Sequence, residues 1–300
     1  MTPVRGVLDP RHPLLAQDAR LRRRRLVSRV IEVSAWTGAV IAVGVLAVVI
    51  TSVVLKGISS LNIHFLTTPT DPFGAGGGIS NAIIGSGILI GLAALMAVPT
   101  GILVAIYTSE FAGRRVAFGV RYILDVLNGV PTIIVGIFVF GLLVVGHQQS
   151  GWAGAVALAI VMLPLVARSC QEVLALVPSG IKEAGMALGA SRWRTILTIL
   201  VPSALSGLIT GSLLAIARAA GETAPLLFTT SIFANLVQTN PSTALPNIPV
   251  AIFQFSESPD PAKHAQAWAA ALILIAFVLL VSIVPRLVLV RSRARLAGLG

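Results

Sequence analysis

The sequence predicts an all-α membrane protein with six transmembrane helices. Three observations carry that expectation. Hydrophobic residues make up 56% of the 300 and charged residues only 11%, about half the charge share of a soluble domain. The apolar residues fall in runs long enough to cross a bilayer. The basic residues gather at the ends of those runs, almost all on one side of the expected membrane.

The first run, residues 33–55, has 23 residues without a charge, about 34 Å as a helix. It is too long for the apolar core of a cleavable signal, so Arg22–Arg25 ahead of it are expected to be a cytoplasmic leader. A polar, glycine-rich loop follows over 56–78. The second span is expected over about 79–107, and a short charged turn, 110–115, follows it. The third span covers about 123–145, the fourth about 152–166. A polar segment, 168–201, leads to a fifth span that starts near Pro202 and runs at least to Ala217. A polar, proline-rich loop over 240–266 precedes the last span, 267–289, and a basic tail.

Charge sets the orientation. Of the 22 Lys and Arg, 19 fall in the leader, the turn at 114–121, the segment 168–194 and residues 286–295. Cytoplasmic loops carry such an excess, so both termini are expected in the cytoplasm, with 56–78 and 240–266 outside. The domain reading is a basic cytoplasmic leader (1–32), a transmembrane domain (33–290) with a cytoplasmic loop at 168–202, and a basic tail (291–300). The net charge of +11 thus marks topology and not nucleic acid: the basic residues are not interleaved with aromatics on a soluble surface. The one cysteine, Cys170, excludes an internal disulfide.

The loop at 168–202 carries a spaced motif. Glu183-Ala184-Gly185 is followed by three residues, Gly189, nine residues, and Ile199-Leu200-Val201-Pro202. Small residues on a short helix let a partner approach closely. Gly189 can take a positive φ and turn the chain. Ser191 is placed to cap a second helix, and Pro202 to begin the next. The pattern resembles the EAA loop of ABC-importer permeases, with Gly185 in place of an alanine and Val201 in place of a leucine. The resemblance implies a MetI-like six-helix bundle. It also implies that Glu183, Ala184, Gly185 and Gly189 form an elbow that docks on a separate ATPase subunit. No G-x-x-x-x-G-K-[ST] occurs in the chain, so no cofactor is expected here. ATP and magnesium are expected on the partner ATPase.

Charges inside apolar sequence are costly and point to function. Arg218 and Glu222 lie between the uncharged stretches 203–217 and 223–237. Four residues apart, they can pair on one helix face. Gly221 and Pro225 weaken the helix there. A guanidinium fork matches a tetrahedral oxyanion, so Arg218 is a candidate anion contact in transit and Glu222 its holder or gate. The alternative is a structural ion pair that locks two helices.

The stretch Arg218-Ala-Ala-Gly-Glu222-Thr223-Ala-Pro225, with Gly78-Ile-Ser-Asn-Ala-Ile83, Asn128-Gly-Val-Pro-Thr-Ile-Ile-Val-Gly136 and Ala267-Trp-Ala-Ala-Ala-Leu272, resembles the phosphate-specific (PstA-type) permeases of ABC importers over about residues 33–290. The resemblance implies a multi-pass protein of a bacterial inner membrane that imports inorganic phosphate. It implies as partners a second permease of PstC type, two copies of a PstB-type ATPase and an external PstS-type phosphate-binding protein, besides membrane lipid. The substrate-path candidates are then Arg218, Glu222, Thr223 and Asn128.

Other features read more simply. Asp125 is expected to pair with Arg121, its i−4 neighbour. Asn128 and Pro131 either line the path or relieve a kink. Gly87-x-x-x-Gly91 and Gly207-x-x-x-Gly211 allow close helix approach. The four histidines show no metal-ligand spacing. An importer of sulfate or molybdate is the nearest alternative. An ion-driven secondary transporter would call for inverted repeats and leave the elbow unexplained. A membrane enzyme would need a nucleophile or metal cluster, and none is visible in the sequence.

Overall fold

A computed structural model describes residues 13–71, 74, 76–231 and 236–297. Residues 1–12 of the basic leader, 298–300 of the tail and Pro72 of the first loop lie outside the described residues. Among the described residues every regular element is helical.

Contacts divide the chain into two units, residues 1–54 and 55–300. The first holds most of α1 (Pro13–Gly57). This helix runs without a break through Arg22–Arg25 and the apolar stretch behind them, so no structural boundary falls at residue 32.

In the second unit, α2 (Ile63–Thr67) and α3 (Ser80–Ile106) come first, and α3 ends in a π turn, Tyr107–Phe111. Then α4 (Arg114–Gly129) and α5 (Thr132–Val139) meet at an angle of 96°, α5 continuing as a π turn over Phe140–Val144. The third span, expected over 123–145, is therefore a broken one. The cause is local. Pro131 has no N–H to give a helix and forces the residue before it toward extended backbone. Val130 is extended at φ −69°, ψ 127°, and Pro131 follows at φ −56°, ψ 130°.

The fourth span, α6 (Gly151–Ala175), is longer than expected, because Arg168 and Glu172 sit on its outer side while Cys170, Gln171 and Leu174 are buried. Next come α7 (Ser179–Ala187) and α8 (Arg192–Thr195). A π turn, Ile196–Leu200, joins α8 to α9 (Val201–Ala219) as one run of 28 residues. The wide turn precedes Pro202, whose ring would crowd a normal preceding turn. Short α10 (Ala224–Thr229) and α11 (Ile248–Glu257) then lead to α12 (Pro261–Ala297). Among the described residues five helices are long and apolar enough to cross a membrane, and the bent α4–α5 pair makes a sixth when counted as one span. The six-span expectation thus stands, in altered form at its third member.

Leu89, Ala93 and Ala97 of α3, Leu158, Met162 and Val166 of α6, and Ala204, Leu208 and Ala215 of α9 form the main core. Alanine and glycine are frequent where the helices cross. Methyl groups added at Gly207 and Gly211 would run into Val173 and Ser169 of α6, whereas methyl groups added at Gly87 or Gly91 would meet no described atom outside their own stretch of helix within 4 Å. One of the two G-x-x-x-G pairs therefore packs helices within the chain, and the other faces outward. Cys170 is fully buried in this core.

The expected outer loop at 240–266 is not a simple solvated loop. Residues 245–250 are all buried. Polar side chains satisfy the backbone there, as burial requires. Thr230 Oγ1 accepts from the Leu245 amide at 2.7 Å, Ser86 Oγ from the Ile248 amide at 2.9 Å, and Asn247 Oδ1 caps α11 through the Val250 amide at 3.1 Å. Then α11 packs on α12 around Phe255 and Ala270.

Candidate functional site

Two regions gather the residues singled out in the sequence. The first is the elbow between α6 and α9. Helix α7 starts after Pro178 and stops at Leu188. Gly189 follows with φ +83°, where other residues are strained. Its amide donates to Met186 O at 2.9 Å, and the Ala190 amide to Gly185 O at 3.3 Å, the paired bonds of a Schellman ending. Ser191 caps α8 through the Arg194 amide at 3.4 Å. Glu183 and Ala184 are exposed, and Gly185 is buried beneath them. A β-carbon at Gly185 would lie 2.7 Å from Ile199 Cδ1 and 2.9 Å from Thr195 Cγ2. The departure from Ala at this position is thus a packing requirement: the two arms of the elbow close on each other here. Overpacking costs about 1–3 kcal/mol, against a gain of about 0.5–1 kcal/mol in helix propensity. Gly185→Ala is therefore expected to lower the melting temperature of the purified protein; an unaltered or raised value would refute the close packing.

Residues outside the motif complete the elbow. Glu110, on the π turn after α3, accepts a hydrogen bond from Lys182 Nζ at 2.9 Å, with only 8% of its side chain exposed. Phe111 packs on Trp193, ring centroids 5.1 Å apart, and the Arg192 guanidinium lies 5.6 Å from the Phe111 ring. Together with Glu183, Glu110 and Lys182 line a groove of about 390 Å³. In the sequence Glu110 is one residue of the short charged turn at 110–115. No local signal marks it, since its partner is 72 positions away.

The second region lies where the bent third span passes the end of α9. Asn128 and Arg218 line one small cavity with Thr132, Val130 and Leu165, at the break between α4 and α5. The chain breaks here a second time, as Gly221 and Pro225 foretell: α9 stops at Ala219, and α10 begins at Ala224. The two short helices after the breaks touch. A β-carbon at Gly136 of α5 would lie 2.7 Å from Pro225 Cα, and Phe140 meets Phe228 edge-on at 6.4 Å.

The break removes the expected i,i+4 pairing. Arg218 is the second-last residue of α9, and Glu222 lies beyond it in the non-helical link, so the two do not share a helix face. Among the described residues they form no ion pair. Glu222 and Thr223 are half-buried and do not line the cavity with Arg218 and Asn128. Asp125 is likewise not tied to Arg121. It faces Arg168 of α6 at 3.7 Å, because α4 lies along α6 there. Thr132 escaped the sequence reading, although Pro131 beside it signals the end of a helix.

The chain matches the family described as the binding-protein-dependent transport system inner membrane component over residues 97–293. It belongs to that family. Curated relatives in it include the phosphate transport system permease protein PstA of Yersinia pestis, 42% identical over 81% of this chain and 83% of the relative. PstA of Haemophilus influenzae is 41% identical over 79% of this chain and 84% of the relative. A probable PstA of Methanocaldococcus jannaschii is 38% identical over 76% and 81%. Solved structures repeat the fold. A bacterial alginate ABC transporter, solved with its pentasaccharide-bound periplasmic protein, aligns with a TM-score of 0.60 over 90% of this chain and 95% of the other, at 15% identity. The MetNI methionine ABC transporter in an inward-facing form aligns with a TM-score of 0.55 over 72% and 94%, at 19% identity. As a binding-protein-dependent permease, the chain keeps the MetI-like helical bundle that its elbow motif implied.

Proposed function

We propose that this chain is the transmembrane permease subunit of an ATP-binding-cassette importer of inorganic phosphate. The observation that carries the anion path is the convergence of Arg218, Asn128 and Thr132 on one cavity beside two interrupted helices. Irregular backbone at membrane depth is tolerated where it lines a cavity or is buried in protein, and transporters use such broken helices at their binding sites. Arg218 offers a planar set of donors to a phosphate oxyanion, with Asn128 and Thr132 as neutral partners. Glu222 and Thr223, in the link that follows, mark where that wall of the path bends. The close relatives' shared name supports phosphate over other oxyanions.

The elbow of Glu183, Ala184, Gly185 and Gly189 is the docking surface for the ATPase. Its exposed Glu183 and tight underside suit a rigid lever. The subunit binds no nucleotide; ATP and magnesium belong to a PstB-type pair. A PstC-type permease supplies the other half of the path, and a PstS-type protein delivers phosphate from outside. Both termini and the elbow then lie in the cytoplasm of a cell whose inner membrane holds the complex. Purification of the chain in mild detergent is expected to bring down a second permease and an ATPase. Loaded phosphate-binding protein should raise the ATP hydrolysis of that assembly, and sulfate in its place should not. Recovery of the chain alone, without ATPase activity, would refute the proposal.

A further inference from the structure

We infer that Glu110 is a positioning residue that carries movement of the elbow into the membrane bundle through its bond to Lys182. The inference rests on the permease reading and adds the route by which the elbow reaches the spans.

Three contacts on one short turn support it. The π turn at Tyr107–Phe111 ends α3, the helix that runs beside α6 through the main core. Its Glu110 accepts from Lys182 of α7 at 2.9 Å. Its Thr108 hydroxyl accepts from Gln171 Nε2 of α6 at 2.7 Å. Its Phe111 packs on Trp193 of α8. One turn therefore holds the last span before the elbow and both arms of the elbow.

These contacts differ in kind. The aromatic contact can slide, and the apolar underside of α7 closes on Thr195 and Ile199 within the elbow itself. The ion pair fixes a direction and a distance. Among the described ion pairs it is the shortest and least exposed: the other two are 3.7 Å long, with side chains 40% to 72% exposed. Loss of Lys182 leaves the Glu110 carboxylate buried without its partner. Helix α7 is bounded by a proline at its start and a left-handed glycine at its end, so its helical backbone does not run on into its neighbours. A push on α7 thus reaches α3 through Lys182 and Glu110. The π geometry widens that turn, with the Ala112 amide bonding Tyr107 O at 2.8 Å; such turns are frequent at functional sites.

The test uses the complete transporter in proteoliposomes, with phosphate uptake and ATP hydrolysis measured together. Glu110→Gln and Lys182→Met are expected to keep binding-protein-stimulated hydrolysis while phosphate moved per ATP falls about tenfold, within the usual span of coupling effects. The double exchange Glu110→Lys with Lys182→Glu, and Lys182→Arg alone, should restore most of that ratio. Unchanged phosphate per ATP in Glu110→Gln and Lys182→Met would overturn the inference. So would a proportional fall of uptake and hydrolysis that the double exchange does not rescue, since that is a merely structural role. If the single variants fail to assemble, the double exchange decides: assembled and coupled supports the route, otherwise it falls. An unsubstituted complex that hydrolyses ATP but takes up no phosphate would instead refute the substrate assignment and leave the route testable on the true solute.

Discussion

Arg218→Gln is expected to abolish phosphate uptake while the subunit still inserts and assembles. Arg218 lies next to the last residue of α9, in a cavity shared with Asn128 and Thr132. Among the described residues it has no ion-pair partner, so its removal breaks no internal bridge. Hydrogen bonds to charged groups contribute about 1.5–3 kcal/mol each. Loss of a two-pronged contact to an anion in transit therefore costs about 3 kcal/mol or more, roughly a hundredfold in rate at the low end. Arg218→Lys keeps the charge without the planar fork and should fall between the two. The measurement is radiolabelled phosphate uptake, set against the amount of assembled complex. Normal uptake by a well-assembled Arg218→Gln protein would remove Arg218 from the path.

The largest effect on stability is expected at Gly85. A β-carbon there would overlap the carbonyl oxygen of Pro246. The segment that carries Pro246 cannot easily retreat. The Leu245 amide is held by Thr230 Oγ1 at 2.7 Å and the Ile248 amide by Ser86 Oγ at 2.9 Å, both in buried surroundings. Relief of the clash would break one of these bonds and leave a buried backbone donor unpaired, a penalty of about 1–3 kcal/mol. The overpacking itself costs about 1–3 kcal/mol. Gly85→Ala should thus destabilise the protein by about 3 kcal/mol, well above the usual effect of one methyl group. Thermal unfolding of the purified subunit checks this, as does protease sensitivity of residues 236–247. A melting temperature equal to that of the unsubstituted protein would mean that the segment yields freely.

Much of the chain was legible without coordinates. Gly189 turns the chain with positive φ, and Ser191 caps α8, because both follow from bonds within a few residues. The break after Arg218 follows in the same way from Gly221 and Pro225. The third span shows where such reading stops short. Its apolar run satisfies a length rule, and a length rule does not register a 96° bend, although Pro131 carries a local signal for it. Expected helix partners also failed for a definite reason. Arg218 with Glu222, and Asp125 with Arg121, are i,i+4 pairs only if the helix continues and nothing better lies across it. The helix ended before Glu222, and Arg168 of α6 lay opposite Asp125.

By itself, then, the sequence determined the solvent, the number of crossings, the elbow and the family. These depend on hydropathy, charge placement and short-range backbone chemistry, all written in adjacent residues. Tertiary structure alone decided that Glu110 meets Lys182, that Asn128 and Arg218 share a cavity, and that residues 245–250 are buried. Those outcomes depend on how closely helices approach. Glycines such as Gly85, Gly136 and Gly185 allow that approach, but the atoms that fill the space come from distant parts of the chain.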